Sequence, residues 1–213
     1  PNSNSLAHRT TWLRSDLGRL DVVLMQMVRL VRGGEVIKAS KRSGKAITLV
    51  TLLDEVPIDA ARFFFNLREA NSHFDFDLDL AVEESAQNPV YYVQYAHARI
   101  CSIGRMLKQE GITPCKTADC DFSLLCAEEE KALVRFLARL PQEIIDAAKE
   151  YDPAKLTRYA VELATMFHKF YNACRVKCGE EKMMNARYAL CMAVKQTLFN
   201  VLSLLKITAP DAM

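Results

Sequence analysis

The sequence predicts a mainly α fold, in which an all-helical bundle follows a small α/β segment. From about Asn88 onward, apolar side chains recur with the 3.6-residue period of helices that bury one face. A short apolar run at 20–31 is rich in β-branched residues, and residues 72–80 alternate apolar and acidic side chains. Both are strand patterns, so strands are expected only in the first part of the chain.

The first part of the chain is predicted to hold a buried strand, a loop and two short helices. The strand covers 20–31, LDVVLMQMVRLV, and the basic, small-residue stretch EVIKASKRSGKAIT after it indicates a loop. Thr48 is placed to cap a helix that runs to Val56, where Pro57 ends it. Asp59 is predicted to cap the next helix, IDAARFFFNLREA, whose phenylalanines should lie mostly in the core.

The alternating stretch 72–80, SHFDFDLDL, predicts a strand with its carboxylates on one side. Its aspartates mimic the start of a calcium-binding loop. The match fails further on, because Leu80 stands where the loop needs glycine and Ala86 stands where it needs glutamate. A solvated acidic face is therefore the favoured interpretation.

The second part of the chain is predicted to form long helices separated by proline and glycine. They cover 90–109, then 127–140 with a restart at Pro141, then about 153–178, and finally 182–206. The positions expected to face the core follow helical spacing: Leu133, Phe136, Leu137 and Leu140, then Leu163, Phe167, Phe170 and Cys174, then Cys191, Val194, Leu198, Val201 and Leu205.

Composition favours an ordinary globular protein in a reducing compartment. The seven cysteines are odd in number and form no CxxC pair, which disfavours a disulfide scaffold or a zinc knuckle. Cys115, Cys120 and Cys126 share a loop, but their spacing fits no common metal site. No stretch approaches the ~20 apolar residues of a membrane span, and no secretory signal is visible. No membrane association and a cytoplasmic location are expected.

The net charge of +2 hides a strong segregation along the chain. Residues 1–50 carry nine basic and three acidic residues (+6), residues 51–154 carry ten and nineteen (−9), and residues 155–213 carry nine and four (+5). Basic ends around an acidic middle suggest positive surfaces for a polyanion. Proteins that bind no nucleic acid can share this asymmetry.

Residues 38–45, KASKRSGK, place four cations in a loop rich in small residues. Ammonium groups on such a loop can stabilise charge that develops on a phosphate. The loop is not a P-loop, because Ala39 replaces the required glycine and Ala46 replaces the required hydroxyl residue. From spacing alone, a solvated basic loop is the alternative.

The segment NPVYYVQYAHAR places Tyr92, Tyr95 and Arg99 at i, i+3 and i+7 on one helix face. Aromatic rings beside a cation can stack on bases or hold a nucleic-acid backbone, whereas the alternative is an ordinary half-buried face. His97 is expected to be structural. The four histidines are far apart in sequence, and no nucleophile–base pair is visible.

Three successive segments, EVIKASKRSGKAITLVTLLDEVPIDAARFFF, SHFDFDLDLA and NPVYYVQYAHARI, resemble those of bacterial-type arginyl-tRNA synthetases. The resemblance covers about residues 20–213. It implies that 1–88 form the C-terminal part of a class I, Rossmann-type catalytic domain and that 89–213 form the helical anticodon-binding domain. The family is implied to use ATP with Mg, arginine and tRNA-Arg in protein synthesis.

The resemblance implies residues for the ATP-binding site. Lys38, Ser40 and Lys41 lie where class I enzymes place the KMSKS loop, and there Lys38 and Lys41 would stabilise the ATP phosphates in the adenylation transition state. The chain departs from that pattern at Ala39, where methionine is usual, and at Arg42, where serine is usual.

The resemblance also implies residues that lie close to tRNA. Tyr92, Tyr95 and Arg99 match residues near the tRNA, and Tyr171 and Met213 match residues that contact the anticodon loop. Tyr171 can stack on an unstacked base, which is the usual route to reading single-stranded RNA.

The sequence lacks an HxGH-type signature and much of the catalytic domain that the family implies. The loop 84–89, ESAQNP, resembles one that rearranges when tRNA docks. We therefore expect the tRNA-binding part of an arginine–tRNA ligase, monomeric, without a tightly bound cofactor and inactive by itself. The alternatives are a stand-alone helical RNA-binding module without catalysis and a helical protein-interaction domain.

Overall fold

The computed structural model describes residues 22–37 and 48–213. The predictions for 1–21 and for the basic loop, including Lys38, Ser40 and Lys41, lie outside the described residues. Within the described ranges the fold is mainly α, as predicted, with eight α-helices and one three-stranded sheet. No helix in these ranges is long and apolar enough to cross a membrane.

The sheet has the order β2-β1-β3, with β1 at Val28–Arg32, β2 at Glu35–Val36 and β3 at Phe74–Asp77. β1 and β2 form an antiparallel hairpin whose turn places Gly33 and Gly34 at positive φ, which glycine adopts without strain. β1 runs parallel to β3, with Val28 opposite Phe74.

The strand predicted over 20–31 is shorter than expected. Regular pairing begins at Val28, because the register with β3 gives earlier residues no partner strand. Leu24, Met25 and Met27 are exposed, and Met27 has 84% of its surface accessible. The prediction of a continuous buried strand was therefore wrong for residues 24–27.

The helix predicted from Thr48 is confirmed as α1, Leu49–Glu55, and the Thr48 side chain accepts a hydrogen bond from the backbone N–H of Thr51 at 3.2 Å. α2 follows at Ile58–Phe65. The predicted Asp59 cap was wrong: Pro57 is the N-cap residue, and the Asp59 carboxylate instead binds Thr208.

The acidic stretch is a strand only at 74–77, and it continues into a helix that was not predicted, α3, Leu78–Val82. Asp77 caps α3 by accepting from the N–H groups of Asp79 and Leu80. Asp79 accepts from the N–H of Gly33 at 2.7 Å. The prediction of a solvated face is confirmed for Asp79, which is exposed, whereas Asp77 is half-buried. Both carboxylates also stabilise the segment.

Five helices form the bundle: α4 at Pro89–Gln109, α5 at Glu128–Leu137, α6 at Leu140–Glu150, α7 at Ala154–Ala173 and α8 at Glu181–Leu204. Two short 3-10 turns, at 117–119 and 122–124, lie in the connection between α4 and α5. α7 ends before the predicted Cys178, because the chain becomes extended at Cys174 and then buries Val176.

The core of the bundle surrounds α7, which packs against α4, α5, α6 and α8. Most of the predicted core positions are buried, whereas Leu137, Leu140 and Leu205 lie at its margin. The apolar cluster runs without a break from Leu52, in α1, to Ile207, beyond α8. The predicted domain boundary between residues 88 and 89 therefore separates two parts that share one apolar core.

Candidate nucleic-acid interface

The first turn of α4 is fixed by Asn88, which connects it to the segment before it. The Asn88 side-chain oxygen caps the helix by accepting from the N–H of Val90 at 3.2 Å. Its amide nitrogen donates to the backbone oxygens of Ala81, at 3.3 Å, and Glu83, at 2.9 Å. These bonds hold the 84–89 loop beside the tyrosines of α4.

The side chains of α4 and α7 meet at Arg99. Its guanidinium carbon lies 4.4 Å from the centre of the Tyr171 ring and 5.6 Å from the centre of the Tyr95 ring. Both distances fall within the range of cation–π attraction. Arg99 therefore holds an aromatic ring from each helix, and its charge remains next to the surface.

The five residues predicted to lie near tRNA come together, although they are spread over more than a hundred positions. We call Tyr92, Tyr95, Arg99, Tyr171 and Met213 the tyrosine–arginine face. Tyr95 and Arg99 lie between two adjoining pockets of about 450 Å³ and 350 Å³. Tyr92 lines the larger pocket, and Tyr171 and Met213 line the smaller one.

The larger pocket also contains Tyr91, which belongs to the aromatic segment recognised in the sequence, and two residues that the sequence reasoning missed, His168 and Asn172. The rings of Tyr91 and Tyr95 are nearly parallel, with their centres 6.4 Å apart. Asn172 follows Tyr171 on α7 and brings an amide that can both donate and accept hydrogen bonds. The pocket thus combines flat apolar walls with polar groups, as a site for a heteroaromatic ring requires.

His168 links the two helices at the base of the larger pocket. Its ring centre lies 4.9 Å from that of Tyr92 and 5.9 Å from that of Tyr95. Burial, and then the charge of Arg99, lower the pKa of His168 below its ordinary value, so the ring is neutral near pH 7. Its Nε2 atom is buried without a hydrogen-bond partner among the described residues. The signal in the sequence was its i, i+3 spacing to Tyr171.

Residues 208–213 reach the tyrosine–arginine face because side chains hold them along α4. The Asp59 carboxylate accepts from the backbone N–H of Thr208 at 3.1 Å, and Gln94 donates to the Thr208 carbonyl at 3.0 Å. His97 Nδ1 lies 2.8 Å from the Pro210 carbonyl, to which it can donate. Met213 follows and lines the smaller pocket with half its surface exposed.

His97 is buried, with 1% of its surface accessible, and it belongs to a small cluster with Cys101 and Asp211. One potential metal-binding atom of each residue lies within 4.8 Å of the others. The Cys101 thiol donates to Asp211 at 3.1 Å, and burial raises the thiol pKa. Lys195 lies 3.9 Å from the Asp211 carboxylate, and Arg105 donates to the Asp211 carbonyl. Since these charges already balance the carboxylate, the cluster is best explained as an anchor for residues 208–213.

Comparison with known proteins identifies the class of this fold. Residues 93–213 match the model of the DALR anticodon binding domain, so the chain belongs to that family. The matched range contains four residues of the tyrosine–arginine face, and Tyr92 lies one position before it.

The relatives are arginine–tRNA ligases. The chain is 54% identical over 198 residues to the arginine–tRNA ligase of Caldanaerobacter subterraneus subsp. tengcongensis, covering 93% of this chain and 35% of that protein. The chain thus spans about a third of the length of the curated relatives that it matches.

Solved structures of the same kind superpose on this chain. A Campylobacter jejuni protein provisionally assigned as an arginyl-tRNA synthetase gives a TM-score of 0.78 at 30% identity, over 90% of this chain and 40% of that one. The Thermus thermophilus arginyl-tRNA synthetase gives a TM-score of 0.63 at 28% identity, over 81% and 29%.

Proposed function

We propose that this chain is the tRNA-binding part of an arginine–tRNA ligase and that the tyrosine–arginine face binds the anticodon loop of tRNA-Arg. The observation that carries the proposal is the placement of Arg99 against Tyr95 and Tyr171, with Met213 in the same pocket. Exposed aromatic rings beside a cation suit single-stranded RNA, whose unpaired bases offer flat faces and whose backbone is anionic.

Two features of the face suit recognition of an individual base. Tyr171 is half-buried and held by Arg99, so its side chain is already partly ordered before RNA binds. Binding therefore carries a smaller entropic cost. The exposed Asn172 amide, which lines the larger pocket, can exchange hydrogen bonds with a base that enters it. Stacking supplies affinity and the polar groups supply discrimination.

The catalytic role belongs to the ligase as a whole. There Lys38, Ser40 and Lys41 would bind the phosphates of ATP, which acts with Mg, and arginine would be joined to tRNA-Arg. We propose a cytoplasmic, monomeric protein in which residues 1–88 belong to the catalytic domain and 89–213 to the anticodon-binding domain. Without an HxGH-type signature, this chain alone should not activate arginine.

The alternative is a stand-alone RNA-binding module without catalysis. The exposed apolar residues of the first segment, which include Met27 and Val50, favour the ligase over this alternative. An apolar surface of this kind is typical of a face that packs against further polypeptide. A self-sufficient module would gain nothing from exposing it.

The test is binding of a tRNA-Arg transcript, and of a transcript with an altered anticodon loop, measured by fluorescence anisotropy across a salt series. A preference for the arginine anticodon that is lost in Tyr171→Ala supports the proposal. Phe199→Ala is the matched control, because Phe199 is a half-exposed aromatic residue on α8 that lines neither pocket of the face. Equal binding of both transcripts, with a steep salt dependence, would leave only a generic basic surface.

A further inference from the structure

Two cysteines of the segment between α4 and α5 face each other at close range. The Sγ atoms of Cys115 and Cys120 lie 3.1 Å apart, and both thiols are free. The 3-10 turn at 117–119 brings them together, because it folds the four intervening residues back on themselves. Cys115 is exposed and Cys120 is partly exposed, so small reagents can reach the pair.

α8 holds this arrangement in place through Asn185. The Asn185 side-chain oxygen accepts from the backbone N–H of Cys115 at 3.2 Å, and its backbone oxygen lies 3.7 Å from the Cys120 sulfur. Asn185 is itself buried, with 8% of its surface accessible. The two sulfurs are therefore positioned by the tertiary fold as well as by the turn.

We propose that Cys115 and Cys120 are a modification site, a dithiol that closes to a reversible disulfide with low-molecular-weight disulfides as the oxidant. The Cys115 thiolate attacks the small disulfide, forms a mixed disulfide and releases one small thiol. The Cys120 thiolate then attacks the Cys115 sulfur and releases the second small thiol. Both cysteines are oxidised, the reagent is reduced to two thiols, and the two cysteine protons end on those thiols.

The order of attack follows from the surroundings of the two thiols. Partial burial, and then the hydrogen bond with Cys115, raise the pKa of Cys120 to about 11. Since the thiolate is the nucleophile, the more exposed Cys115 reacts first and Cys120 acts as the resolving cysteine.

The other described cysteines are less suited to react. Cys174 and Cys191 are buried, and the Cys101 thiol is bound to Asp211. Cys126 donates to the Ser123 carbonyl at 3.2 Å, and Cys178 donates to the Glu180 carbonyl at 3.5 Å. The Cys115–Cys120 contact is therefore the one from which a disulfide can form with little backbone movement.

The disulfide would act on a defined part of the surface. The segment that contains the pair supplies Thr117, Phe122 and Leu125 to the wall of an apolar groove of about 570 Å³ between α5 and α8. Closing the disulfide restrains the conformation of residues 115–120, which include Thr117, so oxidation restricts how this part of the wall can move. Reduction by a thiol restores it.

The experiment treats the folded chain with oxidised glutathione, blocks the remaining thiols with N-ethylmaleimide and maps tryptic peptides by mass spectrometry. Cleavage at Lys116 separates the two cysteines into the peptides QEGITPCK and TADCDFSLLCAEEEK. The proposal expects these peptides to be linked by a bond that dithiothreitol breaks. The second peptide also contains Cys126, so the assignment needs variants.

Cys126→Ser should retain the linked peptides, whereas Cys115→Ser and Cys120→Ser should lose them completely. Cys120→Ser should also accumulate glutathione on Cys115, because its resolving thiol is gone. The proposal is overturned if the wild-type chain accumulates the same mixed disulfide without closing. It is equally overturned if the linkage depends on Cys126. All three positions are exposed or partly exposed, and circular dichroism checks that each variant folds.

Discussion

Replacing Arg99 separates the two contributions that its side chain makes to RNA binding. Arg99→Lys keeps the positive charge but loses the flat guanidinium that stacks on Tyr171. Arg99→Ala loses both the charge and the stack. Arg135→Ala serves as the matched control, since Arg135 is a cation on α5 that lines the apolar groove, away from the tyrosine–arginine face.

The expected magnitude follows from the geometry. The contact with Tyr171 at 4.4 Å is close and half-buried, whereas the contact with Tyr95 at 5.6 Å is near the limit of cation–π attraction. Both cation–π contacts exist before RNA binds, so losing them weakens binding by leaving the Tyr171 side chain free to move. Ordering one such side chain on binding costs about 1 kcal/mol of binding free energy. That corresponds to roughly fivefold weaker binding for Arg99→Lys. Arg99→Ala should be weaker again, with a salt slope smaller by about 0.7 for one single-strand phosphate contact.

The assay is fluorescence anisotropy with a labelled anticodon stem-loop of tRNA-Arg, repeated at several salt concentrations. We expect Arg99→Lys to keep the wild-type salt slope and Arg99→Ala to reduce it. If Arg99→Lys binds as tightly as wild type, and Arg99→Ala weakens binding no more than Arg135→Ala does, then the stacked geometry has no role in RNA binding.

Three further predictions concern stability, pH and docking of residues 208–213. Arg187→Ala should lower the free energy of unfolding in urea by about 3 kcal/mol, because it leaves Glu130 as an unpaired buried charge. Glu130 is 1% exposed and is bonded to Arg187 at 2.7 Å. A loss as small as that of an exposed ion pair would contradict this. Because the folded-state pKa of His168 is lowered, its contribution to the free energy of unfolding should be fully present above about pH 6.5 and should decrease as the pH drops below that value. The free energy of unfolding of His168→Phe should therefore decrease less than that of the wild type between about pH 7.5 and about pH 5.5. An equal decrease in both proteins would rule out this contribution of His168. Asp59→Ala removes the acceptor that holds Thr208, so hydrogen exchange at 208–213 should accelerate while α7 stays protected, and unchanged exchange would show that the remaining contacts suffice.

Local patterns in the sequence were sufficient for most of the helices and for one cap, but not for α3. Thr48 was placed correctly because its hydrogen bond reaches only three residues along the chain. The buried positions of α8 from Cys191 to Val201 repeat with the helical period and need no partner to be recognised. The start of β1 was misplaced, because a strand begins where its neighbour offers a partner, and β3 lies more than forty residues away.

The site was predictable in part for the same reason. Tyr92, Tyr95 and Arg99 share a face through spacing alone, whereas Tyr171 and Met213 were assigned to the tRNA interface only through family resemblance. His168 was missed and Asp59 was given the wrong role, because their partners, Tyr92 and Thr208, lie 76 and 149 residues away. The first contact depends on how α4 and α7 cross, and the second on how the residues after α8 pack against α2. No local periodicity contains that information.

The shared core between the first segment and the bundle limits how the parts of this protein can be exchanged. Thr157, in α7, donates to the Asn66 carbonyl at 2.7 Å, and Arg62, in α2, donates to the Lys206 carbonyl at 2.6 Å. A chimera joined between residues 88 and 89 would therefore pack side chains of two different proteins against each other in this core, and it would keep these bonds only where both parts retain the donor side chains. Recombination between relatives should succeed more often when α1, α2 and α3 are transferred together with the bundle they support.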